Sequence, residues 1–264
     1  MAEEKNMSFL EHLEELRKRL FRAVLFAVAG VVVVFIFDNF VIENIIMAPR
    51  RADFPTYRFF CWLGHTLGLE DQLCFSDANF TLQSTTMGGN FSAYMTVVLV
   101  GGVILAFPAI FYQIWAFVRP GLKKTELKSV RGIGVYVSLL FFLGVLFGYY
   151  VLTPLSIQFL GNFAFADVEV NATVLSYLKL CTSLILGTGL VFQMPVVIYF
   201  LAKIGLVTSA FLKKYRRHAF VVNLIVSAII TPPDVTSQML VSLPLLLLYE
   251  ISIRVAQRVE KNKV

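Results

Sequence analysis

Acidic side chains stand beside a run of cations in HLEELRKRL, residues 12–20, immediately before the apolar run AVLFAVAGVVVVFIF. Glu14 stands four residues before Lys18, and Glu15 stands in the same relation to Arg19. Each acid can therefore form an ion pair along one helix, worth about 0.2–0.5 kcal/mol. A carboxylate near a membrane surface can instead bind a cationic group of another molecule, because charges attract more strongly where water is scarce. Spacing alone leaves both interpretations open.

A second isolated acid has similarly basic surroundings. Glu126 is the only acid in RPGLKKTELKSVR, residues 119–131. Isolated carboxylates on an otherwise basic face can form a binding site for an arginine side chain. The alternative is that such acids only stabilise the surface of a helix.

Sequence patterns of catalysis are missing. The three histidines, His12, His65 and His218, include no pair at a metal-binding spacing, and no nucleophile or phosphate-loop motif is present. Gln193 lies deep in an apolar run, where a lone amide is typical of helix–helix hydrogen bonding, whereas ion-coupled carriers keep ionisable groups at membrane depth. We expect no enzyme, no metal and no cofactor. A secondary transporter or small channel is the alternative class.

The composition indicates an integral membrane protein. Of the 264 residues, 58% are hydrophobic and 15% are charged, against about 25% charged in soluble domains. The net charge of +6 is then expected to anchor the protein at the cytoplasmic membrane surface rather than to bind nucleic acid. The acidic start without a small-residue cleavage site is not typical of a cleavable signal peptide.

Six uncharged runs predict an all-α, polytopic membrane protein formed by one domain, 1–264. The predicted transmembrane helices are 20–42, 93–118, 132–154, 175–202, 217–231 and 235–253. Pro154 is expected to end the third of them, because proline interrupts helical hydrogen bonding. The long segment 43–92 is expected to form the first periplasmic loop, with short helices at the membrane interface.

A separate amphipathic helix is predicted at the N-terminus, residues 8–22, lying along the membrane before the first span. Ser8 and Glu11 fit a capping box. Apolar side chains recur on one helical stripe, at Phe9, Leu13, Leu16 and Leu20.

The positions of Lys and Arg predict the orientation. Segments 1–22, 119–131, 203–217 and 254–264 together hold 19 of the 23. The positive-inside rule places these segments, and both termini, in the cytoplasm, which agrees with an even number of spans. The last two spans are short, about 20–23 Å against a hydrocarbon core of about 30 Å, so the bilayer is expected to thin there or flanking residues to extend them.

Two of the three cysteines share the long loop. Cys61 and Cys74 can form a disulfide if the loop is extracytoplasmic, but their spacing does not show that their side chains meet. Cys181 lies in an apolar run and is expected to be a packing residue.

Longer motifs carry a family resemblance. HLEELRKRL, MAPR, FPAIFYQIWAFVRPGLKKTE, FQMPV and TPPDVTSQ follow one another in this order, and together they resemble the TatC family, the signal-peptide receptor subunits of the twin-arginine translocase. The resemblance covers about residues 8–253. It implies a concave, cup-like arrangement of six helices in the bacterial inner membrane. It further implies binding of the twin-arginine signal peptides of folded cargo proteins, self-association, single-span TatA and TatB partners, and export driven by the proton-motive force.

The resemblance also implies functional residues. Two carboxylates, Glu15 and Glu126, are expected to bind the signal peptide. Neighbouring motif positions are Arg17, Leu20, Phe117 and Pro120. Gln193 aligns with a concave-face polar residue that is often glutamate in the family, so a role that needs an ionisable group does not carry over. Asp234 matches the acid of the periplasmic turn TPPD, where the alternative is that it only caps the sixth helix. Thr231 and Gln238 are expected near the partner-helix contact.

Overall fold

The computed structural model describes residues 9–68, 74–75, 80–119, 132–162, 171–231 and 235–261. Its α-helices are α1 (Phe9–Ile36), α2 (Pro55–Thr66), α3 (Gly89–Val118), α4 (Ile133–Phe147), α5 (Thr153–Asn162), α6 (Val174–Val191), α7 (Met194–Lys203), α8 (Ser209–Lys214), α9 (Arg216–Ile230) and α10 (Val235–Lys261). Further elements are π-helical Phe40–Ile46 and Gly148–Leu152, the 3-10 turn Ala48–Arg50, and strands β1 (Thr81–Gln83) and β2 (Asn171–Thr173). The predicted helical class is confirmed, with one small parallel sheet, β1–β2, added to it.

Within the described part of the chain, four helical stretches are long and apolar enough to cross a membrane. They are His12–Ile36, Gly89–Val118, Ile133–Asn162 and Val174–Lys203, and each overlaps one of the first four predicted spans. α9 and α10 occupy the positions of the last two. α10 has 27 residues and is longer than the short last helix expected, because it continues through residues 254–261. The 15 residues of α9 extend about 22 Å, less than a hydrocarbon core of about 30 Å. The count of six spans and the orientation stay predictions.

The N-terminal helix is continuous. α1 runs for 28 residues from Phe9 to Ile36 without a break, about 42 Å at 1.5 Å per residue. The prediction of a separate surface helix that turns into the first span is therefore wrong. The sequence has no glycine or proline between Phe9 and Ala29, so nothing in it interrupts the helical backbone.

The prediction that the third helix ends at Pro154 is also wrong. The π-helical turn Gly148–Leu152 leads directly into α5, which continues to Asn162. Proline takes the second position of α5 and lacks the N–H that would bond the preceding turn. The hydroxyl of Thr56, on α2, donates instead to the carbonyl oxygen of Tyr150, and such substitute donors are what allow proline within membrane helices.

The chain divides into two compact units. Unit 1 consists of Met1–Ile36 and Val98–Leu139, and unit 2 of Phe37–Val97 and Leu140–Val264. Unit 1 thus contains α1 and most of α3. Unit 2 contains α2, the sheet and helices α5 to α10.

Unit 1 depends on the close approach of α1 and α3. A Cβ atom on Gly102 would lie 2.5 Å from the backbone nitrogen of Val31, and one on Gly30 would lie 2.3 Å from the carbonyl oxygen of Gly102. Small residues allow helix backbones to approach this closely in a membrane, where packing rather than water drives association. The contact fixes how far α3 is shifted along α1.

Unit 2 is packed by apolar side chains from its last helices. α7, α8 and α10 share a core made of Ile198, Ala202, Leu212, Ile253, Ala256 and Val259. At its edge, the carboxylate of Glu260 accepts hydrogen bonds from the backbone N–H of Ser209, at 2.7 Å, and from its hydroxyl. Arg216 and Glu250 form an ion pair between α9 and α10.

The MAPR segment, residues 47–50, is tied to other parts of unit 2 by two sets of hydrogen bonds, which we call the latch: Tyr57 with Pro49 and Pro154, and Arg50 with Phe80. The buried hydroxyl of Tyr57 lies 2.8 Å from the carbonyl oxygen of Pro49 and 2.9 Å from that of Pro154, and burial raises its pKa, which keeps it a protonated donor. Arg50 donates to the carbonyl oxygen of Phe80 at 2.8 Å, with its guanidinium 5.4 Å from the centre of the Phe80 ring. The latch joins α2, the segment before β1 and the start of α5.

Tyr57→Phe is expected to lower the free energy of unfolding by about 1–3 kcal/mol, because the buried carbonyl oxygens of Pro49 and Pro154, which share the one hydroxyl proton, lose this donor. Thermal unfolding of the detergent-solubilised protein measures the effect. Tyr112→Phe is the matched control, since Tyr112 is 62% exposed and its loss of a hydroxyl should leave the midpoint unchanged. A midpoint for Tyr57→Phe equal to that of the wild type would contradict the latch.

Candidate functional site

Glu14 and Glu15 stand in different surroundings. The carboxylate of Glu14 pairs with Lys18 at 2.8 Å, and both side chains are almost two-thirds exposed. The carboxylate of Glu15 lies 3.3 Å from Arg19, and both side chains are only about one-quarter exposed. Both predicted ion pairs are confirmed, but only that of Glu15 is recessed from solvent.

A residue of α3 completes this recess. The other Nη atom of Arg19 donates to the side-chain oxygen of Gln113 at 3.5 Å, and Gln113 is buried. The array Glu15–Arg19–Gln113 therefore joins α1 to α3 within unit 1. A carboxylate removed from water interacts with a cation more strongly than one in bulk solvent.

An aromatic pair lies one turn away from the array. The ring of His12 stacks on that of Phe117, with centroids 4.6 Å apart and planes inclined by 26°. His12 precedes Glu15 by three residues and Phe117 follows Gln113 by four, so each ring adjoins one end of the array along its own helix. Phe117, a predicted site residue, is thus brought close to Glu15.

The structure does not bring the predicted neighbours Arg17 and Leu20 into this array. Both side chains are exposed, and residues two apart on a helix do not share a face, so Arg17 points away from Glu15. Arg17 instead lines an open groove of about 460 Å³. The other lining residues are Glu14, Lys18, Phe21 and Arg22.

Three predicted site residues, Pro120, Glu126 and Asp234, lie outside the described residues. The remaining predictions fall in unit 2. Gln193, at the junction of α6 and α7, is half-buried, and its amide lies 3.5 Å from the carbonyl oxygen of Gly189.

Thr231 and Gln238 are used inside unit 2. The hydroxyl of Thr231 is buried and donates to the carbonyl oxygen of Ser227 at 2.8 Å. The amide of Gln238 lies 3.3 Å from the carbonyl oxygen of Leu224, so it links α10 to α9. Their role as partner contacts stays a prediction.

Sequence reasoning missed Gln113, His12 and Arg19 as members of the site. Gln113 stands in the quoted motif FYQIW, four residues before Phe117, and an amide within an apolar run is a signal that could have found it. Nothing in the sequence distinguishes Arg19 from the other cations of its basic run. Its contact with Gln113, 94 positions away, produces no pattern among neighbouring residues of the sequence that could have predicted it.

The array can accept a further cation. Arg19 contacts one oxygen of Glu15, whereas a carboxylate has two oxygens and about four acceptor sites. A second guanidinium can share the carboxylate or replace Arg19, whose other partner is the neutral amide of Gln113. The rings of His12 and Phe117 offer flat faces on which a guanidinium can stack.

The fold and this array define a polytopic helical membrane protein with a recessed carboxylate paired to an arginine. A family model described as Sec-independent protein translocase protein (TatC) matches residues 11–244. The chain belongs to the TatC family, and so is a component of the Sec-independent protein translocase.

Sequence and structural similarity to known TatC proteins extends over nearly the whole chain. The chain is 41% identical over 266 residues to the TatC protein of Blattabacterium sp. subsp. Periplaneta americana (strain BPLAN), covering 100% of both sequences. It is 35% identical to TatCy of Bacillus subtilis (strain 168), covering 95% of this chain and 89% of the relative. A crystal structure of the twin arginine translocase receptor TatC matches with a TM-score of 0.72 at 30% identity, covering 95% of this chain and 100% of that one.

Proposed function

We propose that this chain is the receptor subunit of a twin-arginine translocase and binds the signal peptides of folded cargo proteins. The observation that supports this most directly is the recessed carboxylate of Glu15, whose partner Arg19 also contacts Gln113 of the α3 helix. The site is proposed to face the cytoplasm, with both termini on that side of the bacterial inner membrane. The function is binding, without catalysis.

Recognition of arginine follows from the chemistry of the carboxylate. A guanidinium is planar, always charged and able to donate two parallel hydrogen bonds to one carboxylate, whereas an ammonium acts as a point charge. The incoming arginine is proposed to take over the Glu15 contact now made by Arg19. Glu126, by its position in the family motif, is proposed to bind the second arginine of the pair.

Partner subunits are proposed to pack on α9 and α10. Large apolar side chains point outward there, including Phe220, Val221, Ile225, Ile229, Met239, Leu243 and Leu247. Such surfaces fit the single transmembrane helices of TatA and TatB. Gln238 links α10 to α9 near this surface, and Thr231 caps the end of α9. Export is proposed to be driven by the proton-motive force.

The proposal is tested with a photo-crosslinking residue at Leu20, which is 61% exposed and leaves Glu15 in place. Inverted membrane vesicles are mixed with a signal peptide that carries Arg-Arg or, as a control, Lys-Lys. Crosslinking is expected with Arg-Arg. It should fall at least about tenfold with Lys-Lys, because the loss of roughly one charge-assisted hydrogen bond weakens binding by that factor. Equal crosslinking of both peptides would overturn recognition through a carboxylate.

A further inference from the structure

Two cysteines and a histidine meet outside the predicted spans. Cys61 and His65 stand one turn apart on α2, so their side chains share one face of the helix. Cys74 is disulfide-bonded to Cys61, and its sulfur lies 3.7 Å from Nε2 of His65. The two sulfurs and a ring nitrogen all lie within 4.8 Å of one another.

Aromatic packing holds Cys74 near α2 independently of the disulfide. The ring of Phe75 lies 5.5 Å from that of Tyr57 and 6.1 Å from that of Phe60. Tyr57 is in turn fixed by the latch with Pro49. The two thiols are therefore expected to stay close to each other, and to His65, after the bond between them is broken.

The set of two thiolates and one imidazole is typical of zinc sites. Zn²⁺ binds cysteine sulfur at about 2.3 Å and histidine nitrogen at about 2.0–2.1 Å, in tetrahedral geometry. Ligand atoms in such a site lie about 3.5–4 Å apart, close to the 3.7 Å between the sulfur of Cys74 and Nε2 of His65. The two sulfurs, which are bonded to each other here, have to move apart to this separation once the disulfide is reduced. Three protein ligands leave one position of the tetrahedron for water.

We propose that Cys61, His65 and Cys74 form a site that binds Zn²⁺ only when the disulfide between the two cysteines is reduced. A dithiol reductant transfers two electrons and two protons to the disulfide, which becomes two thiols while the reductant becomes a disulfide. Zn²⁺ then replaces the two thiol protons, which pass to solvent, and the imidazole of His65 supplies the third ligand. Re-oxidation to the disulfide releases the ion, because a disulfide sulfur carries no thiolate charge. The segment around α2 thereby has two alternative crosslinks, neither of which depends on the proposed receptor function.

The test uses the full chain in detergent, purified through an affinity tag without histidine, and Co²⁺ as a coloured substitute for Zn²⁺. After reduction with a phosphine and its removal under inert gas, we expect one Co²⁺ per chain, seen as a thiolate-to-cobalt charge-transfer band in the near ultraviolet that Zn²⁺ abolishes. The oxidised chain should show no such band. Gel filtration checks that each sample remains folded.

Matched variants show whether the Co²⁺ is bound at this site or by another thiol of the chain. The pair Cys61→Ser and Cys74→Ser should remove the band, whereas Cys181→Ala should keep it, since Cys181 is buried elsewhere in unit 2. His65→Ala should weaken Co²⁺ binding at least about tenfold, in line with the cost of disturbing metal ligands. His65 is exposed, so the folded state should survive its loss. Absence of the band in the reduced wild type, or a His65→Ala affinity within about twofold of the wild type, would overturn the site.

Discussion

Glu15→Ala is expected to abolish crosslinking of an Arg-Arg signal peptide and export of its cargo, whereas Glu14→Ala leaves both close to wild type. The two acids are adjacent in sequence and have the same charge. They differ in that Glu15 and its partner Arg19 are only about one-quarter exposed and Arg19 also contacts α3, while the side chains of the Glu14–Lys18 pair are almost two-thirds exposed. An exposed ion pair is worth only about 0–1 kcal/mol, so losing Glu14 should have little effect on stability or binding.

The size of the Glu15 effect follows from the bond that is lost. A hydrogen bond to a charged group contributes about 1.5–3 kcal/mol, so affinity for the peptide should fall roughly 10- to 100-fold. Glu15→Gln should weaken binding similarly, because an amide carries no charge. Glu15→Asp keeps the charge but withdraws the carboxylate by one methylene group, and an intermediate affinity is expected.

Controls separate binding from folding. Glu15→Ala leaves the guanidinium of Arg19 with Gln113 as its remaining partner in the array, so membrane insertion and the thermal midpoint are measured alongside crosslinking. Both should stay near wild type. Unchanged crosslinking in Glu15→Ala, or equal losses in the two alanine variants, would remove Glu15 from the site.

The features predicted correctly from the sequence depend on neighbours in the chain. The ion pairs of Glu14 and Glu15 need only a spacing of four residues, and four helices long and apolar enough to cross a membrane need only long apolar runs. None of these requires knowledge of which helices meet.

The features that the sequence did not predict depend on distant partners. The helix continues through Pro154 because Thr56, almost a hundred residues earlier, satisfies the carbonyl group that proline leaves without a donor. Gln113 becomes part of the site only because α3 places it against Arg19. Both contacts are set by helix packing, which no local pattern of residues records.

That packing rests on the glycines between α1 and α3, and Gly102→Ala is expected to disrupt it. The added Cβ atom would lie 2.5 Å from the backbone nitrogen and 2.6 Å from the Cα atom of Val31, and backbone atoms cannot rotate away as a side chain can. Overpacking of this kind costs about 1–3 kcal/mol and occasionally more. It exceeds the gain in helix propensity of up to about 1 kcal/mol that alanine brings over glycine.

Gly134→Ala provides the matched control, because a Cβ atom there meets nothing within 4 Å. Gly134 is the second residue of α4 and lies in unit 1, so Gly134→Ala brings no clash and should unfold at or slightly above the wild-type midpoint. Gly102→Ala should unfold at a lower temperature in detergent. It should also bind the Arg-Arg peptide more weakly, because moving α3 away from α1 separates Gln113 from Arg19. If Gly102→Ala instead matched Gly134→Ala in both measurements, the α1–α3 contact would have no part in positioning Glu15.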